Sequence, residues 1–165
     1  MKQTIRLFTW RGISVGVHWS LFVILVILSW SLADSALPNG APDYSTTAYW
    51  AAGIVTSIAF LASVAAHELG HAVVAQHRGI GVKSINLWLF GGVAALERQP
   101  TTWQAEFAVG IVGPAVSAVL GGLGMAAAAI VRSTSGATIA GEALLWFGST
   151  NLVLAGFNLL PGAPL

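Results

Sequence analysis

The residues best suited to chemistry stand together as His67-Glu68-Leu69-Gly70-His71. On a helix, positions i and i+4 share a face one turn apart, so both imidazoles can hold one metal ion while Glu68, one position round, reaches a water beside it. Two neutral His ligands, a Lewis-acidic ion and a carboxylate base make up the HExxH pattern of zinc hydrolases. The competing reading is a chance polar cluster with Glu68 paired to a histidine. The surrounding run is apolar, however, and ionisable groups within a membrane helix are costly unless a function retains them. Catalytic zinc also needs a third protein ligand and an open position, and the other candidates are weak. His77 lies beyond His71 and off its face, and His18 is more simply explained by a hydrogen bond to a neighbouring helix. Glu97, Glu106 and Glu142 fall near the ends of apolar runs, where solvated carboxylates are ordinary.

The elements that must position this string belong to a membrane. Of 165 residues, 56% are hydrophobic and 8% charged, and the mean hydropathy is +0.78. Average soluble domains carry about 25% charged residues, so an ordinary water-soluble globule and a disordered chain are excluded. A net charge of +1 leaves no basic excess to hold nucleic acid, and the lack of cysteine removes disulfides and thiolate chemistry. A transmembrane helix needs roughly 20 apolar residues. Four stretches come near that length: Val17 to Ala33, Ala48 to Gln76, Phe107 to Val131 and Ala143 to Leu160. The expected fold is an all-α polytopic membrane protein with four transmembrane helices. Asp34 to Thr47 reads as a short loop. A cleaved leader ending near Ala33-Asp34-Ser35-Ala36 fits less well than a retained span, because the run is long and contains His18, Ser20, Ser29 and Ser31.

Between the second and third spans the composition changes. Gly79 and Gly81 end the helix, Val82 to Phe90 has strand character, and Gly91-Gly92 offers a two-residue turn before Val93 to Leu96. A β-hairpin inserted here predicts a polar cavity beside the second span, since non-helical backbone at membrane depth must be buried in protein or face water. It would also offer a strand edge on which an unwound substrate segment could pair, which assigns Ile85, Asn86, Leu87, Trp88, Leu89 and Phe90 a binding role. Lys2, Arg6, Arg11, Arg78, Lys83 and Arg98 flank the ends on one side and only Arg132 the other. By the positive-inside rule, both ends of the chain are expected in the cytoplasm of a multi-pass cell-membrane protein.

The chain ends Asn158-Leu159-Leu160-Pro161-Gly162-Ala163-Pro164-Leu165. HELGH on the second span, Gly91-Gly92 after a strand, Gly113-Pro114 in the third span, this Asn-x-x-Pro-x-x-Pro ending, and a segment Gly12 to Ser20 containing His18 occur in order along nearly the whole chain. Together they resemble the site-2 proteases, intramembrane zinc metalloproteases. The resemblance implies zinc held by His67 and His71, Glu68 as general base, and Asn158 near the metal as a donor to the developing oxyanion. It implies substrates that are membrane-anchored regulatory proteins, cut in or near their transmembrane segments. In that family the ending continues to an Asp that is the third ligand. Here it would be the residue after Leu165, so residues 1–165 are expected to form a single metalloprotease core that is incomplete at its C-terminus. Further helices or paired CBS domains are found in some members. Ser117 stands where some members have Asn. Two other classes compete: an inactive client-binding membrane protein, and a metal transporter. A transporter would spread its ligands over several spans instead of concentrating them in five residues.

Overall fold

The computed structural model describes residues 5–88, 91–98 and 101–160. Among the described residues, three helices are long and apolar enough to cross a membrane: Ser20–Gly40, Thr46–His77 and Trp103–Ser135. The first comprises α1 (Ser20–Ser31), a π-helical turn (Leu32–Ala36) and α2 (Leu37–Gly40). Asp34 therefore lies inside helix, not in the expected loop. Pro38 lies within this continuous helix, two residues past the π-helical turn, and its missing N–H leaves one helical hydrogen bond unmade there.

The next helices are α3 (Thr46–His77), α4 (Trp103–Ser135) and α5 (Ile139–Asn158). Each starts at a hydroxyl cap: Ser45, Thr102 and Thr138 accept from the N–H groups of Ala48, Ala105 and Gly141. After α3 the chain turns through Gly79 at φ 74°, and after α4 through Gly136 at φ 70°, a backbone conformation that glycine adopts without a steric penalty. The stretch expected as a fourth span forms helix α5, which is not among those three helices and carries Glu142 and Asn151 within it.

The sheet is larger than the expected hairpin. It contains β1 (Ile5–Trp10), β2 (Ile13–Val17), β3 (Val82–Trp88) and β4 (Gly91–Leu96), in spatial order β1-β2-β3-β4. β1/β2 and β3/β4 are antiparallel, whereas β2 and β3 run parallel. The parallel pair requires a long crossover, which α1 to α3 supply. Gly91 and Gly92 are not the turn. They are strand residues opposite Trp88 and Leu87, and the connection falls at residues 89 and 90, outside the described residues.

Alternate residues of the sheet pack on the last turns of α3. Ile13, Val17, Val82, Ile85 and Leu87 share a core with Ala72 and Ala75, just past His71. Large apolar side chains elsewhere on the helices, such as Val26, Val55, Val119 and Val153, face outward, as a bilayer solvent allows.

Candidate metal centre

Helix α3 places His67 and His71 one turn apart against α4. Their Nε2 atoms are 3.1 Å apart. Each ring is oriented through its other nitrogen: His71 Nδ1–H donates to the Val109 carbonyl at 2.6 Å, and His67 Nδ1 meets Ser117 Oγ at 2.8 Å. Such partners on the far nitrogen are how metal-binding imidazoles are held in tautomer and direction. His67 and Ser117 are both buried.

Between these contacts lies Gly113. A methyl group there would overlap His71 Nε2 and come within 2.6 Å of His67 Nε2. Val109, Gly113 and Ser117 therefore share one face of α4 at intervals of one turn, and the middle residue has no side chain where both Nε2 atoms lie against the helix. Two nitrogens bound tetrahedrally to zinc at 2.0–2.1 Å stand about 3.3 Å apart. The observed separation, and the room that Gly113 leaves for both Nε2 atoms, fit such an ion.

Glu68 turns from the histidines toward the sheet. The Gly92 N–H bonds to its carboxylate, and a side chain on Gly92 would overlap Glu68 Cγ and reach its Oε1 at 3.0 Å. The second glycine of the pair is thus explained by the close approach of a carboxylate rather than by a turn. Among the described residues no third His, Asp or Glu joins the group.

The remaining sequence candidates separate. Asn158 closes α5, and its Nδ2 donates to the Leu154 carbonyl at 2.8 Å, within its own helix. Ile85 and Leu87 are core residues, buried against α3. β3 is hydrogen-bonded to β2 on one side and β4 on the other, so Ile85, Asn86, Leu87 and Trp88 do not present an open backbone edge. That edge belongs to β4. Asn86 differs from its neighbours in that its Oδ1 is buried without a hydrogen-bond partner among the described residues. Leu89 and Phe90 lie outside the described residues, as do Pro161 to Leu165. His18 is held locally, with Nδ1 2.9 Å from Ser20 Oγ at the start of α1. Beside α3, a groove of about 550 Å³ runs between Phe8 and Trp10 of β1 and Leu69, Gly70, Val112 and Val116. Its lining is apolar, unlike the polar cavity expected there.

Sequence reasoning missed Val109, Gly113 as a metal cradle, and Ser117 as a histidine partner. Gly113-Pro114 and Ser117 entered the sequence reading only as a likeness to the family and a departure from it, not as parts of the metal site.

A helix pair carrying HExxH, with its imidazoles at a glycine of the neighbouring helix and its carboxylate under a sheet, is the arrangement of a zinc-hydrolase site. Residues 55–136 match peptidase family M50. Rip3 of Mycobacterium tuberculosis, named as a zinc metalloprotease, is 42% identical over 165 residues, covering all of this chain and 42% of Rip3. A Synechocystis protein similarly named is 44% identical over 167 residues, again 42% of its length. The chain thus spans about two fifths of these relatives. In structure it is similar to the site-2 protease of Methanocaldococcus jannaschii, with a TM-score of 0.65 and 29% identity, covering 97% of this chain and 66% of that one.

Proposed function

We propose that this chain is the core of an intramembrane zinc metalloprotease that hydrolyses peptide bonds in or near transmembrane segments of membrane-anchored regulatory proteins. The observation that carries the reading is the convergence of His67 and His71 Nε2 at 3.1 Å over Gly113, with Glu68 beside them.

His67 and His71 would hold zinc, and a bound zinc supplies a Lewis acid that polarises a carbonyl and acidifies water. Glu68, its carboxylate accepting from the Gly92 N–H, would take a proton from the attacking water and return it to the leaving amine. A third ligand would be the Asp of the family's pattern, which the described residues do not include. Asn158 would supply its amide to the oxyanion. The α4–α5 packing supports this: Gly121 and Gly124 face Gly148 and Leu152, and the same antiparallel register carried along α5 brings Asn158 near the level of Gly113. A serviceable amide there would have to leave the Leu154 carbonyl.

A helical substrate must unwind before its carbonyls can be attacked. The strand edge suited to receive it is that of β4, which passes over Glu68 at Gly92, and Asn86 Oδ1 is available to a further N–H. We place α5 as a fourth span. The orientation puts both chain ends in the cytoplasm, in keeping with Arg11, Arg78, Lys83 and Arg98 lying at the sheet end and Arg132 at the other.

The test is cleavage of a model transmembrane substrate by the full-length protein in bilayers. Glu68→Gln should lower the rate by about 10²–10⁴-fold while zinc stays bound. Equal cleavage by the variant would refute the assignment, and binding of substrate without cleavage by either protein would favour a client-binding role.

A further inference from the structure

The open edge of the sheet is also where Glu68 is held. Leu87 accepts the His18 N–H at 2.8 Å, so its carbonyl points toward β2. A strand residue turns its N–H and C=O to the same side, and Leu87 therefore makes no backbone bond with Gly92, the residue opposite it on β4. The N–H and C=O of Gly92 thus point away from β3. By the same alternation those of Ala94, opposite Ile85, point the same way. β4 is the last strand in the order β1-β2-β3-β4, and no strand lies beyond it among the described residues. The Gly92 N–H is nonetheless occupied. Its acceptor is the Glu68 carboxylate, and the Glu68 stem fills the space a Gly92 side chain would take.

Resting on the metalloprotease reading, we propose that the Gly92 N–H is a specificity-determining donor, held in turn by the general base and by the substrate. In the resting protein it retains Glu68 at the sheet edge. An extended substrate segment laid along β4 brings a backbone carbonyl to the same N–H and makes further ladder bonds with Ala94. One carbonyl alone does not displace a carboxylate, because a hydrogen bond to a charged acceptor is the stronger. Several ladder bonds formed together do. No proton changes place in this exchange: Glu68 gives up its bond to Gly92 and turns its carboxylate to the water it activates. The substrate class follows from the geometry. A peptide that reaches only the metal leaves the base held, whereas one extended across Gly92 and Ala94 frees it. Unwinding and pairing of the substrate are then conditions of cleavage as well as of binding.

The experiment replaces the amide of residue 92 by an ester in the full-length, zinc-loaded protein, through glycolic acid incorporated at that position, which deletes the N–H and adds no side chain. Two substrates are compared in bilayers: a model transmembrane substrate, and a peptide cut down to the residues flanking its cleaved bond. The ester should raise kcat for the short peptide about tenfold and leave kcat for the full substrate unchanged, so that the advantage of the full substrate shrinks. An equal fall in kcat for both substrates, or an unchanged ratio between them, overturns the inference, since Gly92 would then only orient the base. A second readout needs no ester. In ¹⁵N NMR of the full-length protein, Glu68→Ala should move the Gly92 amide in the resting state and leave it in place when the cleavage products of the model substrate are bound. An amide equally sensitive to Glu68→Ala in both states overturns the inference. A Glu68→Gln protein that cleaves like wild type overturns the protease reading itself, whatever the ester does.

Discussion

Helix α4 meets a neighbour closely at two places, and glycine does opposite work at each. At Gly113 the missing side chain makes room for two imidazoles from α3, and polar partners at Val109 and Ser117 hold them there. At Gly121 and Gly124 it lets the backbone of α5 close in: a side chain on Gly148 would meet Met125 N at 2.7 Å and the Gly121 carbonyl at 2.9 Å. The first seam keeps space open for chemistry and the second removes it for cohesion. The same residue type thus serves function or packing according to what faces it, which the membrane setting sharpens, since helices there associate through close contact and not through hydrophobic burial.

Substitutions break the comparison at graded strength. The largest expected effect at the first seam, apart from loss of Glu68 itself, comes from Gly113→Ala, whose methyl occupies the space of the two Nε2 atoms. Zinc content should fall below a tenth of wild type, while thermal unfolding in detergent stays within a few degrees. Gly148→Ala should do the reverse. It overpacks the α4–α5 seam and destabilises by about 1–3 kcal/mol, read as a lower unfolding midpoint, with zinc retained by the folded fraction. Gly92→Ala displaces Glu68 rather than the histidines, so cleavage should drop while zinc content does not change. The smallest effect belongs to the Arg132–Glu142 ion pair at the opposite end of α4, where Arg132 is 47% exposed. Arg132→Ala should shift stability by no more than about 1 kcal/mol and leave both zinc and cleavage unaltered. If Gly113→Ala and Gly148→Ala gave the same pattern of loss, the distinction between the seams would fail.

Much of the first seam could be read from the chain because its chemistry is local. His67 and His71 are four residues apart, and helix geometry alone puts them on one face. Their partners could not be read the same way. Ser117 and Val109 lie 50 and 38 residues from the histidines they hold, and a serine or valine in an apolar helix has no pattern that announces such a contact. The glycine pair Gly91-Gly92 misled for a related reason. Between apolar strands it resembles a hairpin turn, and only the approach of Glu68 shows that absence of a side chain was what the position required. The N-terminal strands went unread because Arg6, Thr9, Arg11 and Gly12 interrupt the apolar alternation, and because β2 finds its partner β3 across three intervening helices. Helix continuation through Asp34 and Pro38 was hidden by residues that usually mark loops. α1, α3, α4 and α5 themselves were legible, since long apolar runs leave few alternatives.

The central claim is that one zinc ion sits between α3 and α4 on His67 and His71. X-ray absorption at the zinc edge of the full-length protein tests it most directly. The account predicts one zinc per chain with two imidazole nitrogens at about 2.0–2.1 Å, lost in a His67→Ala, His71→Ala double variant. A stoichiometric zinc unchanged by that double substitution, or a wild-type spectrum without imidazole ligands, would contradict it.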